Sequence, residues 1–205
     1  RRLVDALAGS PLTDIEFERP SIEGLAIGRA LTGFLLDTNV ISELRKPRPV
    51  PTVVRFVEAQ AEEDLFISDI SFAEIRFGIE QLDDAERRAS LTAWLDSTLR
   101  PLFEGRIFSI TEDVILRWRL LVEAGRRRGH TFGQPDLFIA AIAAEENLVV
   151  VSRDTIHFEE AGVPVLNPWD SEFHPVGSAI QTISDVGQTG ILGHLVALNR
   201  GRMPK

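Results

Sequence analysis

The sequence predicts an α/β protein built on a parallel sheet sandwiched by helices, and three observations carry that reading. Short apolar runs recur, Phe34-Leu35-Leu36 and the β-branched Leu148-Val149-Val150-Val151 among them, as expected of buried parallel strands. Such runs alternate with helical patterns through the middle of the chain. Acids stand at the ends of two of the runs, Asp37 after the first and Asp154 after the sequence that closes with Ser152-Arg153.

In chain order, strands are expected at 34–36, 64–68, 106–109, 148–151 and 164–166, with helices near 40–45, 50–61, 70–82, 84–103, 112–128 and 135–146. The first helix begins where Asp37 can cap it. Ser71-Phe72-Ala73-Glu74-Ile75-Arg76-Phe77-Gly78-Ile79 forms the heart of the third. Trp94 and Trp118 share helical faces with Leu91, Leu95, Leu121 and Val122, which marks them as core or subunit-contact residues. The last helix opens at Pro135, where a missing N–H costs nothing, and Leu137 to Ala144 is apolar almost all round, so it is buried.

Four acids sit in or beside these apolar stretches: Asp37, Glu74, Asp136 and Asp154. Three have a structural explanation. Asp136 lies in a first helical turn, where the dipole favours a carboxylate, and Asp37 and Asp154 can cap helices. Glu74 has none. Its neighbours at three and four residues are Ile70, Phe77 and Gly78, so it must be protonated, be paired, or face a cleft. In an open parallel sheet the crevice lies beyond the carboxyl ends of the strands, where Asp37 and Asp154 emerge. Carboxylates gathered there repel unless a cation intervenes, and oxygen-only ligands select Mg²⁺ or Mn²⁺.

Five segments, in order and spacing, resemble the PIN-domain ribonucleases, and within them the VapC and FitB toxins of bacterial toxin–antitoxin pairs. They are Phe34-Leu35-Leu36-Asp37-Thr38-Asn39-Val40-Ile41-Ser42-Glu43, Ile70 to Ile79, Pro135 to Ala141, Val151-Ser152-Arg153-Asp154-Thr155 with Phe158, and Val165-Leu166-Asn167-Pro168-Trp169. The likeness covers residues 34–169 of 205. It implies a PIN-like fold and a Mg²⁺- or Mn²⁺-dependent endoribonuclease, with Asp37, Glu74, Asp136 and Asp154 holding metal. Thr38, Asn39, Ser152 and Thr155 would orient carboxylates or water. It further implies an RNA substrate, a cognate antitoxin, a homodimer, and contact with DNA only through the antitoxin.

Two extensions flank this domain. Residues 1–33 contain Ser10 to Pro20, similar to the C-terminal tail of a Phd-type antitoxin, in which Arg19 would inhibit the acid cluster; an inert extension is the competing reading. Residues 170–205, with five glycines, are expected to form a loosely held tail.

Composition narrows the class. With no Cys, disulfides and thiolate zinc sites are excluded, and 44% hydrophobic with 26% charged is ordinary for a globular domain. Apolar runs are too short for a membrane span and Asp5 interrupts any signal core, so the protein is expected in the cytoplasm. The sole Met is Met203, which suggests a trimmed start. Residues 34–169 carry 15 basic and 23 acidic residues, a net −8. RNA would therefore depend on metal and on local patches, Arg45-Lys46-Pro47-Arg48 or Arg126-Arg127-Arg128. His130 and His157 read as solvated loop residues, and Ser68 and Ser71 lack a nucleophile elbow. Two other functions use a similar acid pocket: a non-catalytic module that clamps an antitoxin arginine in a self-repressing complex, and a Mg²⁺-dependent phosphatase. The first would be supported by a DNA-binding helix-turn-helix, which the sequence lacks. The second needs a nearby lysine, and the domain has only Lys46.

Overall fold

The computed structural model describes residues 31–129 and 133–200. Its strands are β1 (Gly33–Leu36), β2 (Leu65–Ser68), β3 (Ile107–Phe108), β4 (Leu148–Val151), β5 (Val165–Asn167), β6 (Glu172–His174) and β7 (Gln181–Thr182). They form one sheet in the order β3-β2-β1-β4-β5-β6-β7. The first five are parallel, and β6 and β7 are antiparallel additions.

Residues along each central strand alternate between two cores. Phe34, Leu36, Val149 and Val151 point to one face, and Leu35, Leu148 and Val150 to the other. Both faces are covered, which is why the runs read as continuously apolar. On the first face lie α1 (Thr38–Leu44), α2 (Pro51–Ala59), α3 (Asp69–Glu80) and α4 (Ala85–Trp94), the last running on through a π-helical turn, Leu95–Leu99, to Arg100–Leu102. The second face is covered by α5 (Glu112–Arg127), α6 (Gln134–Glu146) and α7 (Thr155–Glu160). There Trp118 stacks on Phe138 at 4.9 Å. Gly33 is required by close approach, since a Cβ there would meet the Phe66 ring at 2.6 Å and the Asp64 carbonyl at 2.8 Å.

The connections between β1 and its two neighbours leave in opposite directions, so the strand order reverses between β1 and β4. Leu36 pairs with Val151 across that junction, and the next residues, Asp37 and Ser152, therefore emerge side by side at the carboxyl edge.

The stretch after Trp169 corrects the expectation of a loose tail. β6 and β7 extend the sheet, and α8 (Ile191–Arg200) follows. Phe173, Ile183, Val186, Ile191 and Leu195 are buried in the first core, and Asn199 accepts from the Val176 amide at 3.1 Å. Counting glycines obscured an apolar pattern, Ile191 with Leu195 and Leu192 with Val196, that marks a helix face. The predicted tail-like segment at 10–20, Arg19 and His130 lie outside the described residues. Among the described residues no helix is long and apolar enough to cross a membrane.

Candidate active site

Asp37, Glu74, Asp136 and Asp154, supplied by four separate parts of the chain, line one open cleft of about 410 Å³. The sequence placed each acid beside an apolar element, and the fold brings all four to one concavity.

Asp37 is only 5% exposed, and each of its carboxylate oxygens has its own hydrogen-bond partners. One carboxylate oxygen caps α1 by accepting from the Thr38 amide at 2.6 Å. The other accepts from the Ser152 hydroxyl at 2.6 Å and the Asn39 amide at 2.7 Å. Burial raises its pKa to about 6 despite the Ser152 and Thr38 hydrogen bonds, and the negative charges of Asp136 and Glu74 push in the same direction. Ser152 is fully buried, and its oxygen also accepts from the Asp154 amide at 2.9 Å and from Asn39 at 2.8 Å. One hydroxyl therefore ties the ends of β1 and β4 together.

Glu74 is half-buried on α3 and accepts from the Thr38 hydroxyl at 2.5 Å. The apolar row on which it was placed is less buried than its composition suggested, since Phe77 is 66% exposed. The cleft, rather than the core, is what this glutamate faces. Asp136 is half-buried in the first turn of α6, beyond Pro135. Desolvation raises its pKa, His157 counteracts this, and Asp154 adds to it. A Cβ on Gly133 would stand 3.2 Å from the Asp136 carboxylate, so the bare glycine leaves that group room. Asp154 precedes α7 but makes no side-chain capping bond, which leaves its carboxylate available to the cleft. Thr155 differs from Thr38, Asn39 and Ser152: among the described residues its hydroxyl has no hydrogen-bond partner.

His157 was read as a solvated loop residue away from the acids, and this is corrected. It lies on α7, three residues after Asp154, with Nε2 3.8 Å from an Asp154 oxygen. Potential ligand atoms of Asp136, Asp154 and His157 all lie within 4.8 Å of one another. The helical spacing of three was the available signal.

Sequence reasoning also missed Glu43. It is 3% exposed, lines the cleft, and accepts from Lys46 at 2.6 Å and the Val50 amide at 2.9 Å, which hold its pKa low. A mid-helix acid next to Val40 and Ile41 is the pattern that singled out Glu74. Of the basic candidates, Lys46 is occupied by Glu43, and Arg45 stacks over Trp94 at 4.5 Å in an adjoining groove. Arg126 pairs with Glu123, while Arg128 donates to the Glu160 carbonyl at 2.7 Å. Arg153, exposed at the cleft and 5.7 Å from the Trp169 ring, is the more direct basic neighbour of the acids. Ser68 caps α3 through the Ser71 amide at 3.1 Å, a structural role.

A family model described as the PIN domain matches residues 34–163. The chain belongs to the PIN-domain family. It is similar to VapC ribonuclease Y4jK of Sinorhizobium fredii, with 36% identity over 136 residues, or 66% of this chain and 97% of that protein. It is 37% identical to Toxin FitB of Neisseria gonorrhoeae over 135 residues, again 66% of this chain and 97% of the relative. Plasmid stability protein StbB of Pseudomonas syringae pv. tomato is 39% identical over 137 residues, covering 67% and 99%. Among solved structures, FitAcB from Neisseria gonorrhoeae superposes with a TM-score of 0.63 at 37% identity, covering 66% of this chain and 98% of that one. FitAB bound to an IR36 DNA fragment gives 0.62 at 35% identity, covering 66% and 95%. About a third of this chain thus has no counterpart in these relatives, and β6, β7 and α8 lie beyond the family match.

Proposed function

We propose that this chain is a Mg²⁺- or Mn²⁺-dependent endoribonuclease, acting in the cytoplasm as the toxin of a toxin–antitoxin pair. The observation that carries this reading is the convergence of four carboxylates from distant elements on one cleft. The donor set is all oxygen, and the charges of Asp136 and Glu74 add to the burial that raises the pKa of Asp37, so the cleft suits a hard divalent cation.

Asp37, Glu74, Asp136 and Asp154 would hold the ion, which when bound supplies a water of lowered pKa and offsets charge on the phosphate. Thr38 fixes Glu74, and Ser152 with Asn39 fixes Asp37, so the donors are aimed before substrate arrives. Arg153 is placed to meet the RNA backbone. Names of relatives support the ribonuclease and toxin parts of the reading, and the structure of FitAB bound to a DNA fragment supports an assembly that meets DNA, here through the antitoxin. A homodimer completes the assembly. Residues 1–33 are either an antitoxin-like segment that lowers this activity, with Arg19 as the inhibitory group, or an inert extension. A phosphatase is disfavoured because Lys46, its needed cation, is held by Glu43 at 2.6 Å.

The test is cleavage of a mixed RNA substrate by purified wild-type and Asp136→Asn proteins in Mg²⁺, Mn²⁺ and EDTA. Metal-dependent cleavage by the wild type, lost in the variant together with weakened Mn²⁺ binding, is expected. Cleavage by the pure variant at the wild-type rate would remove Asp136 from the site.

A further inference from the structure

Beyond the four acids, the geometry points to His157 as an additional metal ligand, joining Asp136 and Asp154 in a mixed nitrogen–oxygen site that favours first-row transition ions over Mg²⁺. The inference rests on the metal-binding reading above and concerns which ion the cleft selects.

Three observations lead to it. The ring nitrogen of His157 lies 3.8 Å from an Asp154 oxygen, and the ligand atoms of Asp136, Asp154 and His157 fall within 4.8 Å of one another. Ligands around one octahedral ion with bonds of about 2.1 Å stand roughly 3 Å apart when adjacent and about 4.2 Å when opposite, so these three need only small side-chain rotations to share a centre. Secondly, Asp154 and His157 are three residues apart at the start of α7, which puts both on one side of that helix, and α7 packs against α6, which carries Asp136. Thirdly, His157 is about one-third exposed, and its Nε2 is the ring atom that lies on the Asp154 side.

Carboxylate oxygens alone leave Mg²⁺ and Mn²⁺ closely matched. An imidazole donor changes this, because affinity for nitrogen rises from Mn²⁺ through Fe²⁺ to Co²⁺ while Mg²⁺ gains little from it. The competing role for His157 is a cation that steadies Asp154. In that case its loss would weaken every divalent ion alike, since only the shape and charge of the carboxylates would change.

The full chain, its His157→Asn variant and its His157→Gln variant are titrated calorimetrically with MgCl₂, MnCl₂ and CoCl₂, and the visible spectrum of the Co²⁺ form is recorded. Expected is a loss of about tenfold in Co²⁺ affinity with less than a twofold change for Mg²⁺, and an altered Co²⁺ absorption band in both variants. A parallel fall for all three ions, or an unchanged Co²⁺ spectrum, would overturn His157 as a ligand while leaving the four-acid site intact. Failure of the wild type to bind any of the ions would overturn the metal reading itself.

Discussion

The buried hydroxyl of Ser152 donates to Asp37 at 2.6 Å across 115 positions of sequence, and the same oxygen accepts from the Asp154 amide at 2.9 Å. Ser152 therefore spans the junction of β1 and β4 and sets the orientation of one acid while anchoring the backbone of another. Ser152→Ala should leave the sheet intact but weaken Mn²⁺ binding about tenfold, in line with other residues that orient metal ligands. Calorimetric titration checks this, and an unchanged affinity would mean that Asp37 is held well enough by Thr38 and Asn39.

A pH dependence follows from Asp37. Its folded pKa is raised from 3.8 to about 6, so between those values the folded protein keeps a proton that the unfolded chain has released. Stability of the metal-free protein then falls as pH rises from about 4 to about 6 and is flat with respect to this group above that, a total of roughly 3 kcal/mol. Asp37→Asn removes the titration. Denaturant unfolding of both proteins in EDTA should show the variant gaining on the wild type across this window. A constant difference from pH 4 to pH 7.5 would contradict the assignment.

Glu74 is distinguished from a structural acid by its surroundings, half-buried at the cleft with a single hydroxyl partner, Thr38. Glu74→Gln keeps the shape and that hydrogen bond but removes the charge. The variant should melt within a few degrees of the wild type and lose RNA cleavage by at least a hundredfold. Loss of the folded state by circular dichroism would assign Glu74 to the scaffold instead.

The C-terminal elements carry a stability prediction. Leu195 is fully buried against the first core, while His194 beside it is exposed. Leu195→Ala should cost about 2–4 kcal/mol and His194→Ala less than about 0.5 kcal/mol. Equal, small effects in urea unfolding would return this segment to the status of an appendage.

For residues 1–33, self-inhibition predicts that deleting them, or making Arg19→Ala, raises metal-dependent ribonuclease activity and cellular toxicity together. A tethered segment competes at an effective concentration on the order of millimolar, so added RNA should not relieve it easily. Equal activity of intact and truncated chains at matched Mg²⁺ would leave the segment inert.

The sequence by itself determined the five parallel strands and, α7 excepted, the helices between them, because burial on both faces writes a continuous apolar run such as Leu148 to Val151, and capping residues mark helix starts. It also singled out the four acids, since a carboxylate beside such runs is costly without a purpose. Tertiary structure alone decided what each acid touches. The pairing of Leu36 with Val151 brings Ser152 to Asp37, and the packing of α7 on α6 brings His157 to Asp136, relations that no local pattern encodes. It also decided the fate of the C-terminal segment. Strands of two or three residues carry too little pattern to read, and Phe173 and Leu195 are core residues only because the sheet edge and first core are there to receive them.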